Sequence, residues 1–301
     1  MFTKQNDRLR VGSFNIKVGV DSSLAQLAAD LYKLNLDLCA YQEIAQDWSL
    51  GTSIDQLSYL SSSQQHSNSI FFPLLKRDWN LDPYLGGPFK FSDCHYYPQD
   101  QQFKKLDAKE LSPQYINNYL TSCESSKLKT DYANKAPEGY YGIGLSSKGL
   151  LSNHLLLTLP QQNDEQRGTM IANWFPKREA CTVKHPSPLL VINTHLSIYT
   201  EERENQAQQL SLFLRDCKRP VLLLGDLNDE PSSKTVRLLC EEAGLFHLSP
   251  PELTEEYTFS VKAPHKRLDY ILGKNVTCIN FGIDTSIRSS DHFPIWADIT
   301  W

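Results

Sequence analysis

Six places in the chain set acid, amide or imidazole side chains at the ends of apolar runs. Asn15 closes Leu9-Arg10-Val11-Gly12-Ser13-Phe14, and Glu43 follows Asp37-Leu38-Cys39-Ala40-Tyr41-Gln42. His195 follows Leu189-Leu190-Val191-Ile192-Asn193-Thr194, and Asp226 and Asn228 follow Pro220-Val221-Leu222-Leu223-Leu224-Gly225. Asp269 lies inside Arg267-Leu268-Asp269-Tyr270-Ile271-Leu272, and Asp291 and His292 precede Phe293-Pro294-Ile295. One acid at a strand end is ordinarily a cap or turn residue, because Asp and Asn suit turns. Six such places change the expectation, since strand ends on one side of a sheet meet on one rim. Carboxylates with an amide carbonyl make an oxygen-ligand site for a hard cation, Mg2+ first and Mn2+ as a substitute. Two histidines with carboxylate partners add hydrogen-bond donors and proton transfer.

The elements that must hold these groups follow from the apolar spacing. Leu9–Ile16 alternates like a strand, and Ser22 or Ser23 is placed to cap a helix through Leu24, Leu27, Ala28, Leu31 and Leu34. Asp37–Tyr41 reads as a second, buried strand. The chain therefore begins strand, helix, strand, the opening of a layered α/β domain. The same pattern returns later. Leu189–Asn193 and Pro220–Gly225 are buried strands, separated by a helix capped by Thr200 with Ala207, Leu210, Phe213 and Leu214 on one face. Ser232 or Ser233 starts a further helix through Val236, Leu239 and Cys240, stopped by Gly244. Leu268–Leu272 and Phe293–Ile299 are late strands.

Residues 51–138 break the pattern. They open Ser/Gln-rich at Ser61–Gln65 and become rich in aromatics, among them Trp79, Tyr84, Phe89, Tyr96, Tyr115 and Tyr132. A structureless loop of that length is unusual inside a compact domain. The stretch is read as an insertion with order of its own, helical around Asp107–Leu120, serving as a packing elaboration or as a wall over the substrate cleft. The rest, with it, forms one domain over residues 1–301.

Composition narrows the class. Gly and Pro are few, and 40% of residues are apolar, which excludes a collagenous or wholly disordered chain. The formal charge is −5, which speaks against binding nucleic acid by bulk charge while leaving a local basic cleft open. The seven cysteines, an odd number without zinc-knuckle spacing, read as small buried hydrophobes. No apolar signal core opens the chain and no run is long enough for a transmembrane segment. A cytoplasmic protein without an obligate protein partner is expected, though an effector exported without a cleaved signal would read the same.

Phe14-Asn15, Gln42-Glu43, Asn193-Thr194-His195-Leu196, Gly225-Asp226-Leu227-Asn228, Leu268-Asp269-Tyr270-Ile271 and Ser290-Asp291-His292-Phe293-Pro294 occur in the order found in the endonuclease/exonuclease/phosphatase superfamily, and the sequence resembles that superfamily over nearly all of the chain outside the insertion. The resemblance implies the deoxyribonuclease I-like fold, an α/β (α+β) four-layered α/β/β/α sandwich, and Mg2+-dependent hydrolysis of a phosphate ester. It implies that Glu43, helped by Asn15, is the principal metal ligand and Asp291 a further one. By the same resemblance Asp226 orients or deprotonates the attacking water, and Asn228 holds that water or a phosphate oxygen. His195 would donate to a non-bridging oxygen. Asp269 would orient and charge His292, which stabilises the transition state or protonates the leaving group. Arg167, in Glu165-Gln166-Arg167-Gly168, stands where many members carry an arginine near the scissile phosphate.

The departures narrow the substrate. Thr194-His195 is similar to the branch holding deoxyribonuclease I, sphingomyelinases and deadenylases, and unlike abasic-site endonucleases. Asp229-Glu230 and Leu268-Asp269-Tyr270 stand where inositol polyphosphate 5-phosphatases carry basic signatures. A phosphodiester of nucleic acid is the favoured substrate, with a phospholipid or small phosphorylated metabolite as alternative. A binding module with an unused catalytic set is the alternative of another class. Four of the acids belong to the expected centre, so the rest of the chain is close to neutral and the charge deficit does not exclude nucleic acid.

Overall fold

The computed structural model describes residues 8–48, 55–78, 95–96, 138–162, 165–177, 188–250 and 256–301. Two mixed sheets lie face to face, each covered on its outer face by helices. In the first, β1 (Leu9–Asn15) and β2 (Leu38–Gln46) run parallel, joined by α1 (Leu24–Leu34). Ser23 Oγ accepts from Gln26 N at 3.1 Å and caps α1, as its sequence position implies. The order across this sheet is β12 (Thr277–Ile283), β13 (Ile295–Thr300), β1, β2, β5 (Glu138–Ser147), β3 (Asn68–Asp78) and β4 (His95–Tyr96). In the second sheet the order is β10 (Phe246–His247), β11 (Asp269–Lys274), β9 (Val221–Asp226), β8 (Leu189–His195), β7 (Gly168–Phe175) and β6 (Leu150–Thr158). Its helices are α3 (Thr200–Arg215) and the short α4 (Lys234–Arg237), which runs on as a wider turn over Leu238–Glu242.

The apolar runs are continuous because both faces of these strands are covered. On β9, Leu222 and Leu224 point between the sheets with Val11, Ala40, Met170 and Ile295. Val221 and Leu223 point the other way, against Ala207, Leu210 and Leu214 of α3. On the far side Phe14, Tyr41 and Ile44 pack on Leu27, Leu31 and Leu34 of α1. A buried polar tie crosses between the layers. Gln42 Nε2 donates to Asn193 Oδ1 at 2.8 Å, and Asn193 Nδ2 donates to the carbonyls of Tyr41 and Gly144 at 3.0 and 2.7 Å. Satisfied in this way, the tie fixes how one sheet sits on the other.

Three expectations need amending. Residues 55–78, grouped by composition with the insertion, supply α2 (Gln56–Ser63) and β3, and β3 pairs with β5 from Asn68 to Asp78. Ser-rich composition concealed an ordinary helix whose Leu57 and Leu60 are buried. Residues 79–94 and 97–137, with the helix expected around Asp107–Leu120 and most of the aromatics, lie outside the described residues. The second strand runs on to Gln46, so Glu43 lies inside it rather than after it. The cap of α3 is Tyr199, without a side-chain bond, and Thr200 is the first helical residue. Strands β5, β6, β7 and β12 lack a legible sequence signal, because interspersed Gly, Ser and Asn weaken their alternation. No disulfide occurs among the described residues; Cys39 and Cys217 are buried, Cys240 and Cys278 half-buried.

Candidate active site

The direction of the strands brings the polar groups together. β1 and β2 are parallel, as are β8 and β9, so their C-terminal ends share one rim. β11 is antiparallel to β9 and starts at that rim. In register across the second sheet, Gly168 pairs with His195, His195 with Asp226, and Asp226 with Asp269. The segment entering β13 carries His292 to the same edge, tied by the Phe259 bridge and by Phe293 N donating to the Thr258 carbonyl at 2.8 Å.

Asp226 is the hub. Its Oδ2 lies 3.1 Å from Asn15 Nδ2, 3.6 Å from His195 Nε2 and 3.7 Å from His292 Nε2. Its Oδ1 accepts from Asn228 N at 2.8 Å, in a turn where Asn228 takes φ +52°. Asn tolerates that left-handed conformation better than other residues with a side chain. Burial pushes the Asp226 carboxyl up to about 7, helped by the neighbouring Asp269 and opposed by His292.

His292 Nδ1 donates to Asp269 Oδ2 at 2.8 Å, and Phe259 packs on the ring at a centroid distance of 4.9 Å. Burial works against its charge, but Asp269 and Asp226 outweigh burial and raise it to about 10. His292 is therefore an imidazolium at neutral pH. His195 is the opposite case. Burial, with the Arg167 guanidinium close by, holds it well below its ordinary value. Its nearest neighbours are donors, with Arg167 Nη1 2.8 and 3.0 Å from its two ring nitrogens and Asn228 Nδ2 3.1 Å from Nε2, while the Asp226 carboxylate stands further off at 3.6 Å. The Asn228 amide cannot turn over without losing its bond to the Leu196 carbonyl at 2.9 Å. The ring is thus neutral and has one accepting nitrogen. Arg167 itself is buried, with its second terminal nitrogen 3.0 Å from Glu165 Oε2.

On the first sheet Glu43 sits at φ +52° where the β2–β5 register shifts between Tyr41 and Ile44. This bulge turns its carboxylate to the rim, where Oε1 accepts from Asn15 Nδ2 at 3.0 Å. Asn15 therefore donates to Glu43 and Asp226 together and draws two carboxylates toward one point. Asp291 stands beside them, its Oδ2 3.0 Å from Lys17 Nζ, and Lys17 N donates to Asn15 Oδ1 at 3.1 Å.

All nine residues singled out in the sequence thus meet in one connected set, Asp291 through Lys17. Glu43 and Asp291 supply carboxylate oxygens of the kind a hard divalent cation takes, while Asn15 turns its amide nitrogen to Glu43 and its oxygen to Lys17 N and so serves by placing Glu43. Asp226, Asp269 and His292 also lie close enough together to suggest a metal cluster. Within that trio His292 Nδ1 is already committed to Asp269 Oδ2, which leaves only Nε2 of the ring facing the other carboxylate. Two residues of the set went unremarked in the sequence. Lys17 sits in a left-handed turn, φ +47°, which no spacing announces. Glu165 was visible only as a neighbour of Arg167.

Fold and rim together place the protein among the α/β-sandwich hydrolases of phosphate esters. The chain belongs to the Endonuclease/Exonuclease/phosphatase family, whose model matches residues 12–292. Among solved structures it is similar to an endonuclease/exonuclease/phosphatase from Beutenbergia cavernae DSM 12333, with a TM-score of 0.67 and 15% identity over 98% of this chain and 72% of that one. The human Nocturnin catalytic domain with bound sulfate gives a TM-score of 0.58 and 18% identity, over 98% of this chain and 97% of that one. A mannosyl-6-phosphatase of Bacteroides thetaiotaomicron VPI-5482 gives 0.58 and 13%, over 97% and 100%. No curated protein is a significant match in sequence.

Proposed function

We propose that the protein is a divalent-metal-dependent phosphodiesterase acting on nucleic acid. The observation that carries the hydrolytic part is the placing of one buried carboxylate, Asp226, between a neutral and a cationic imidazole. A carboxyl raised to about 7 is suited to take a proton from water near neutral pH. Asn228 holds the loop that orients it. The His292 imidazolium, fixed by Asp269, faces the charge that develops on the phosphoryl oxygens and carries a proton for the leaving oxygen. Arg167 lies behind His195, so its charge reaches the phosphate site through that ring.

Glu43, placed by Asn15 and with Asp291 beside it, is the residue that would hold Mg2+ or Mn2+. The ion would supply charge neutralisation on the phosphate. Nucleic acid is preferred on the Thr194-His195 motif. A phosphomonoester is the second reading, supported by the likeness to the mannosyl-6-phosphatase.

A substrate panel tests both readings: single- and double-stranded DNA, RNA, sphingomyelin, inositol phosphates and a hexose 6-phosphate, each with Mg2+ and with EDTA. We expect nucleic-acid cleavage that EDTA abolishes and that weakens steeply with salt. Glu43→Gln should lower Mn2+ affinity, read by titration calorimetry, and activity with it, by about 100-fold. Turnover of the hexose phosphate alone would overturn the nucleic-acid assignment. Activity untouched by EDTA would overturn the metal dependence.

A further inference from the structure

Glu165 has no part in the chemistry above, yet its carboxylate is buried beside Arg167. Its Oε2 lies 3.0 Å from Arg167 Nη2, and its Oε1 is buried without a hydrogen-bond partner. The Tyr141 hydroxyl lies near the same carboxylate and favours its charged form. Arg167 is split between two neighbours, with Nη2 on Glu165 and Nη1 against the His195 ring. A connected path therefore runs from Glu165 through Arg167 and His195 to Asn228.

We propose that Glu165 is a positioning residue for the hydrolysis: it grips one edge of the Arg167 guanidinium so that the other edge is fixed against His195. The inference rests on the phosphoester-hydrolase reading of this rim. Its physical ground is that a buried guanidinium is planar, always charged and directional, so whatever accepts from one edge sets where the other edge points. Glu43 and Asp226 also attract Arg167 electrostatically, but the short ion pair is with Glu165. The described residues on both sides of Glu165 are tied down. Gln166 Nε2 donates to the Leu159 and Arg167 carbonyls at 2.9 and 2.7 Å. From α3, Glu202 accepts from Gln162 N at 3.0 Å and Gln206 donates to the Pro160 carbonyl at 2.9 Å. Burial pushes the Glu165 carboxyl up to about 7, and the Arg167 guanidinium opposes that rise.

The test is a double-mutant cycle in the full chain, with Mg2+ and bis-(p-nitrophenyl) phosphate. Glu165→Leu should lower kcat by about 10- to 100-fold, the loss of one charged hydrogen bond, with KM within about twofold. Glu165→Gln keeps an oxygen for Nη2 and should recover most of that loss. It also replaces the leucine variant in the cycle if the latter fails to fold. In an Arg167→Leu background either change should add less than about twofold. Ring 15N shifts of His195 in histidine-labelled protein, recorded without substrate, should move in Glu165→Leu and Arg167→Leu alike. Losses that multiply in the double variant, or His195 signals unmoved by Glu165→Leu, overturn the inference. The spectroscopic arm holds even where the wild-type protein hydrolyses no diester, so failure of the functional reading and failure of this inference are told apart.

Discussion

Replacing Asp269 by Asn should cost activity in a way that grows with pH. Asp269 is fully buried, and its Oδ2 accepts from His292 Nδ1 at 2.8 Å. An Asn oxygen can accept from the same nitrogen, so the ring keeps its place. What is lost is the charge. A hydrogen bond to a charged group contributes about 1.5–3 kcal/mol against about 0.5–1.5 for a neutral pair, so the bond alone weakens by about 1–1.5 kcal/mol, or about tenfold in rate. The new amide nitrogen also takes the place of Oδ1, which has no partner, and stays unsatisfied. The larger effect is on ionisation. His292 is held at about 10 by Asp269 and Asp226 against its burial. An opposite charge at contact distance is worth about 1–3 pH units, so the variant should lose its imidazolium that much earlier. The sign follows from the acid role. Activity needing protonated His292 falls as pH rises through its pKa, and the alkaline limb moves toward neutrality. The expected kcat/KM deficit is about tenfold at pH 6.5 and about 100-fold at pH 9, measured on bis-(p-nitrophenyl) phosphate with circular dichroism confirming the fold. An alkaline limb unmoved by the substitution, or the same deficit at every pH, would refute the dyad.

Two further outcomes test the framework of the site. Gly225 has φ +154°, and a Cβ there would lie 1.9 Å from the Thr194 carbonyl oxygen on the paired strand. Gly225→Ala should destabilise the fold by about 2–5 kcal/mol in urea, whereas Gly244→Ala, at φ +71° with its nearest neighbour 3.6 Å away, should lose about 1 kcal/mol. Equal effects would mean that close strand approach does not set the Asp226 position. His66 is buried between Ser146 Oγ and the Leu36 carbonyl, and burial lowers it from 6.5 to about 4. The unfolded chain binds that proton first, so stability should fall as pH drops from about 6.5 to about 4, by about 3 kcal/mol for this group. His66→Asn should flatten that part of the pH–stability curve, and an unchanged slope would remove His66 from the account.

The order of the polar motifs and the apolar runs before them were legible in the sequence, because a buried strand advertises itself by composition and each site residue stands beside one. Asn15, His195, Asp226 and Asp269 were found for that reason. Glu43 was found as a residue but not as a conformation. Its bulge depends on pairing with β5, almost a hundred positions away. The roles of the two histidines are no more visible, since each stands beside an apolar run with no local sign of its charge state. Burial among donors makes one neutral, and two carboxylates make the other a cation.

Sequence by itself determined which groups could do chemistry, the α/β character and the family resemblance, because these depend on local pattern and motif order. Tertiary structure decided which groups touch. The row Gly168–His195–Asp226–Asp269 exists only through the register of four strands, and Asn15 reaches Asp226 because the two sheets pack face to face, with Gln42 and Asn193 bonded between them. Lys17 and Glu165 join the set for the same reason. A charged side chain takes its meaning from the partner it faces, and long-range pairing, which local pattern does not encode, sets that partner.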